Sequence, residues 1–181
     1  MTNDENIFKL HKYDKSENMS VPPSSTSLGL PRAIYPLVLL YSMSNMEIEG
    51  KTKLEKLIFV IQKRLIEELK WGITGSNYDF RAFNFGPFTE EVYDDVASLK
   101  LLSLVNVVGE GDNQKYSLTE KGKTVVESLI AQKRLNSDFI SETAKIAKNF
   151  GELRLDKLIE KVYKEYPEYA RNSLIKSRYS F

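Results

Sequence analysis

The chain has 181 residues, 41% apolar and 28% charged, with a net charge of +1, the profile of a globular protein that buries a core in one domain with at most an appended subdomain. A charge so near zero gives no global attraction to nucleic acid or lipid, so any basic patch has to be local. The lack of cysteine excludes disulfides and thiolate chemistry. The one histidine, His11, lies in a polar N-terminal stretch, which excludes a Ser-His-Asp triad in the folded part and leaves no metal-ligand cluster.

In chain order, the acidic start Met1–Glu5 lacks the basic and apolar blocks of a signal peptide, so a cytoplasmic protein is expected. Residues 1–30 are polar and end in Val21-Pro22-Pro23-Ser24-Ser25-Thr26-Ser27, and are read as a disordered tail. Arg32 to Met43 carries a buried first helix, with Pro36 tolerated if it stands in the first turn. The segment Ile34–Tyr41 is too short to span a bilayer. Asn45 to Gly50 breaks the pattern. Lys51 to Leu69 then forms the longest helix, with Leu54, Leu57, Ile58, Ile61, Leu65, Ile66 and Leu69 on one face and Lys53, Lys56, Lys63, Arg64 and Lys70 decorating the rest.

Trp71–Asn77 reads as a loop, followed by a short extended segment through Tyr78, Phe80 and Phe83 and a Gly86-Pro87 turn. Thr89 is expected to cap the next helix, which buries Phe88, Val92, Val96 and Leu99 and turns Glu90, Glu91, Asp94 and Asp95 largely outward. The aromatic set Tyr78, Phe80, Phe83, Phe85 and Phe88 is expected to fill the core. Leu104–Val108 and Lys115–Leu118 pair as a hairpin around Gly109–Gln114. Thr119 caps a helix running to about Leu135. Asn136–Phe181 holds short helices, with Gly151 read as a C-cap between two of them. The order helix, helix, short strand, helix, hairpin, helix predicts a mainly α protein with a small β hairpin (α+β). Its core over 31–135 would be a winged helix-turn-helix, with 136–181 packed on it.

Three stretches carry a family resemblance: Gly50-Lys51-Thr52-Lys53-Leu54-Glu55-Lys56-Leu57-Ile58-Phe59, Phe83-Asn84-Phe85-Gly86-Pro87-Phe88-Thr89-Glu90-Glu91-Val92-Tyr93, and Leu158-Ile159-Glu160-Lys161-Val162-Tyr163-Lys164-Glu165-Tyr166-Pro167-Glu168-Tyr169. Together they resemble the prokaryotic SocA-like (Panacea domain) antitoxins and the related YwgA-like proteins, which share an L-Q-K-L helix, a Y-G-P turn and, in one branch, a V-Y-x-x-Y-P element. This chain departs from the pattern with Glu55 where Gln is usual and Phe85 where Tyr is common. The resemblance implies a helical or winged-helix protein that neutralises a toxin by binding it, and none of its motifs is catalytic.

The residues themselves weigh the partner. In the DNA-binding mode of a winged helix, the helix after the Gly-Pro turn would meet the major groove through Thr89, Glu90, Glu91, Tyr93 and Asp94. Carboxylates there repel phosphate, and Glu110 and Asp112 make the wing tip acidic too. The same five residues suit a basic protein partner, such as a toxin. DNA stays open through a second surface, Lys51, Lys53, Lys56, Lys63 and Arg64, or through a homodimer. No Gly-rich phosphate loop or HExxH motif is present, and paired carboxylates near a helix start are ordinary dipole compensation. The sequence therefore predicts a non-enzymatic protein-binding module without cofactor or membrane segment, the alternative being a DNA-binding transcriptional regulator.

Overall fold

A computed structural model of the chain describes residues 30–43, 46–69 and 77–179. The expectations for the tail, for Lys70 and for most of the Trp71–Asn77 loop lie outside them.

The molecule is built around one helix. In α2 (Lys51–Ile61) every residue from Leu54 to Ile61 is buried, which happens only where neighbours cover a helix on all sides. α1 (Ile34–Ser42), α5 (Ser137–Gly151) and α6 (Leu155–Glu165) supply that cover. Phe59 of α2 meets Phe80, Tyr166 and Tyr169 edge-on at 5.1, 5.1 and 4.7 Å, geometries that add to simple burial. α1 begins at Ile34, two residues before Pro36. Pro36 thus stands in the first turn, where an absent N–H costs nothing.

Two small antiparallel sheets complete the α+β architecture. In one, β1 (Ile48–Glu49), β5 (Lys115–Leu118) and β4 (Val105–Val108) lie in the order β1-β5-β4, with Ile48 opposite Tyr116 and Val105 opposite Leu118. β1 falls where the sequence shows only a break, because two residues are too few to display an alternation. Gly50 follows it at φ +92°, turning the chain straight into α2. The other sheet is the hairpin of β2 (Arg81–Phe83) and β3 (Gly86–Phe88). Here the expected Gly-Pro turn is corrected. The turn is Asn84-Phe85, and Gly86-Pro87-Phe88 is the returning strand.

α3 (Glu91–Leu101) and α4 (Glu120–Ala131) flank the first sheet. Thr89 stands ahead of α3 as expected, its Oγ1 accepting from the Glu91 amide at a long 3.4 Å. Glu90 between them already has helical backbone and adds no side-chain hydrogen bond to the helix start. Thr119 does cap α4, its Oγ1 accepting from the Gly122 amide at 2.9 Å. That helix ends at Ala131, short of Leu135. α2 widens into a π-helical stretch over Gln62–Glu68. There the buried Gln62 side chain accepts from the Tyr78 amide at 2.8 Å and donates to its carbonyl at 3.0 Å. Gly151 is the last residue of α5 and has no left-handed backbone. A Cβ there would come 3.2 Å from the Met43 sulfur, so close packing accounts for it better than a C-cap.

Candidate functional site

The β2–β3 hairpin is fastened on each edge. On the β3 side, Lys56 donates from Nζ to the Pro87 carbonyl at 2.6 Å and to Glu55 Oε2 at 2.7 Å, while Glu55 Oε1 accepts from the Thr89 amide at 3.1 Å. Adjacent residues on a helix do not normally face each other. These two meet because both reach for the backbone on either side of Phe88. Both are shut from solvent, Lys56 at 1% and Glu55 at 2% exposure. Burial pushes the Glu55 carboxyl up and the Lys56 ammonium down, and their pairing opposes both shifts. On the β2 side, Asn172 Nδ2 donates to the Ala82 carbonyl at 3.0 Å and the Leu174 amide to the Asn84 carbonyl at 3.0 Å. Beneath the hairpin, Gly86 sits at φ +95° against Tyr163, whose hydroxyl donates to Ser173 Oγ at 2.6 Å.

What the hairpin leaves open is its turn. Phe83 and Phe85 are 50% and 49% exposed, which corrects their expected place in the core. Tyr78 and Phe80 are buried as expected, and Phe88 is half-buried. The Phe83 and Phe88 rings lie 5.1 Å apart and those of Phe88 and Tyr93 6.4 Å, so an aromatic stripe runs from the turn to α3.

α3 has two unlike flanks beside its buried Val92, Val96 and Leu99. On one, Arg32 donates from Nε to Asp95 at 3.0 Å and pairs through Nη1 with Glu91. Glu91 also accepts from the Asp79 amide at 2.9 Å, and Asp95 from the Tyr78 hydroxyl at 2.8 Å. Although burial opposes it, the Asp79 amide and Arg32 hold Glu91 below the usual carboxylate range. Burial first, then Asp95, holds the Tyr78 phenol well up. On the other flank, Glu90 and Asp94 are exposed and no described residue pairs with them. Tyr93 lies between them, under Lys51 Nζ at 5.5 Å. Burial, Glu55 and Asp112, in the β4–β5 connection, all raise its phenol pKa.

The five expected partner-binding residues therefore divide. Glu90, Tyr93 and Asp94 share the open flank, Glu91 belongs to the Arg32 cluster, and Thr89 is buried with its amide on Glu55. The basic set divides as well. Lys56 is not on a surface at all. Lys63 is bridged to Glu67 at 2.6 Å and Arg64 to Glu165 at 2.7 Å. Lys51 covers Tyr93, and Lys53 is partly buried, which lowers its pKa. Arg32, Phe83 and Phe85 carry no local sequence signal of a site role. Arg32 is 63 positions from Asp95, and no local pattern signals such a pairing.

A family model described as antitoxin SocA-like, Panacea domain, matches residues 54–168. The chain belongs to this family. No curated protein matches it. The matched span opens beside Glu55 and Lys56 and takes in the hairpin, α3, β4, β5 and the Tyr163 clamp. The Panacea match thus contains every residue of the hairpin fastening except Asn172, Ser173 and Leu174. α1 and β1, which help close the core, lie ahead of it. Among the described residues no helix is long and apolar enough to cross a membrane, and no group of three or more Asp, Glu or His side chains is placed to hold a metal ion.

Proposed function

We propose that this chain is a non-enzymatic antitoxin-like module of the cytoplasm that acts by binding a protein partner such as a toxin. The open flank of α3 carries the reading. Glu90 and Asp94 stand unpaired beside Tyr93, and the wing residue Asp112 acts on the same phenol, so this face repels polyanions and attracts a basic protein. Membership of the SocA-like antitoxin family supports the same class of partner. The best-structured carboxylates, Glu91 and Asp95, share one bridge to Arg32, which suits a packing contact better than acid–base work.

The strand order β1-β5-β4, with α3 entering β4 and the β4–β5 hairpin as wing, supports the winged-helix reading, and with it a DNA-binding regulator as the second possibility. The acidic α3 face and the burial or pairing of Lys56, Lys63 and Arg64 weigh against that second reading. The deciding experiment co-expresses the full chain with the product of a neighbouring toxin-like gene and scores rescue of growth and co-purification. In parallel, the pure protein is titrated with random duplex DNA at low salt. Rescue with a stable complex is expected. Salt-dependent DNA binding without any protein complex would overturn the proposal in favour of a regulator.

A further inference from the structure

We infer that the turn of the β2–β3 hairpin and the open flank of α3 form one docking surface for a partner segment carrying apolar side chains between lysines or arginines. The inference rests on the protein-binding reading and specifies the chemistry of the partner. Its apolar half is Phe83 and Phe85 at the turn, with Leu174, 71% exposed, tied to the turn by the hydrogen bond its N–H donates to the Asn84 carbonyl. Exposed aromatics in such a cluster are the usual anchors of protein interfaces. Its charged half begins where the stripe reaches Tyr93, between the unpaired carboxylates of Glu90 and Asp94 and near Asp112. Lys51 lies over the same ring, and Arg81, on the hairpin, is already bridged to Asp79 at 2.7 Å. At the α3 half the charge left for a partner is negative, and the exposed cations Arg171, Lys176 and Arg178 belong to the segment around Leu174.

Other occupants fit worse. A second copy in a two-fold contact would bring two sets of Glu90 and Asp94 into one interface, because such an interface pairs a patch with itself. Nucleic acid and anionic lipid meet the same repulsion. The hairpin is also pre-organised. The Lys56–Pro87, Glu55–Thr89, Asn172–Ala82 and Leu174–Asn84 bonds hold its edges, so a partner need not pay for ordering it.

The test uses the full chain and three fluorescent twelve-residue peptides. One alternates Lys/Arg with Leu/Phe, one replaces Leu/Phe with Ser, and one replaces Lys/Arg with Glu. Wild-type protein is expected to bind the first at least tenfold more tightly than the other two. Phe83→Ser/Phe85→Ser should weaken that binding at least tenfold, and Glu90→Lys/Asp94→Lys should weaken it while strengthening binding of the Glu peptide. The second variant changes only exposed side chains, so it keeps the test valid if the first folds poorly. Equal binding of all peptides, or unchanged binding by both variants, overturns the inference. A wild-type dimer in sedimentation that Phe83→Ser/Phe85→Ser dissociates also overturns it and gives the surface to a second copy. If a toxin-like partner binds wild type and both variants equally, the protein-binding reading stands and this surface does not.

Discussion

Lys56 Nζ lies 2.6 Å from the carbonyl oxygen of Pro87, thirty-one residues further along the chain, and this contact docks the hairpin on the central helix. A lone ammonium would be expelled from so dry a place. Here Glu55 neutralises it at 2.7 Å, and the Pro87 carbonyl and Thr89 amide add one further hydrogen bond to each member of the pair. Pro87 has no N–H to satisfy, so its edge position presents the carbonyl alone.

The pair should therefore be strongly non-additive. Lys56→Met strands a buried carboxylate and an unbonded carbonyl, and should cost about 3–5 kcal/mol of stability in urea denaturation. The double variant Glu55→Gln/Lys56→Met removes both charges while the carboxamide oxygen can still accept from Thr89. It should be more stable than Lys56→Met alone. A double variant as damaged as the sum of the two single ones would show that the charges are not coupled.

Gly86 should be nearly unsubstitutable. At φ +95° a side chain is strained wherever it points, and a Cβ would stand 2.7 Å from Tyr163 Cε1. Gly86→Ala should cost about 2–4 kcal/mol from the two effects together. In a Tyr163→Leu background the steric part is relieved and the backbone part stays, so the same substitution should lower the melting temperature by less. An equal drop in both backgrounds would refute the clamp.

Much of this was legible in the residues. Thr119, the hairpin strand Lys115–Leu118 and the inward set Val92, Val96 and Leu99 follow local rules of capping, turn chemistry and helical period, and they stand where those rules put them. The fastening of the hairpin was not. Glu55 and Lys56 sit in the charged first half of α2, among Lys51 and Lys53, and only the approach of β3 from far along the chain makes them interior. The same approach turns Gly86-Pro87 from a turn into a strand. Phe83 and Phe85 misled in the opposite sense, because aromatic residues predict burial and only the position of the Asn84-Phe85 turn exposes them.

The cap of α4 has a second duty. Thr119 Oγ1 accepts from the Gly122 amide at 2.9 Å and donates to the Ser103 carbonyl at 2.8 Å, tying α4 to the exit of α3. Thr119→Ala should cost about 1–2 kcal/mol, and Thr119→Ser, which keeps the hydroxyl, should recover most of it. If Ser were no better than Ala, the methyl group rather than these bonds would be responsible.

The Arg32 cluster gives a pH signature. Glu91 is held below its unfolded value by the Asp79 amide and Arg32, against the effect of burial. The sign for a depressed carboxylate is fixed. Its stabilisation is complete above the unfolded pKa of about 4.3 and is lost as pH falls through the lower folded value. Arg32→Met should cost about 1 kcal/mol at pH 7 from the ion pairs, a small figure because Glu91 is partly exposed to screening solvent. The gap between wild type and variant should narrow steadily below pH 4.3 as Glu91 protonates. It should not close, because the guanidinium also lies over the Tyr78 ring at 5.1 Å, a contact without carboxylate dependence. Urea midpoints of the two proteins from pH 7 to pH 2.5 measure this directly. Parallel curves would mean that Arg32 contributes packing alone and that Glu91 owes its depressed pKa to the Asp79 amide.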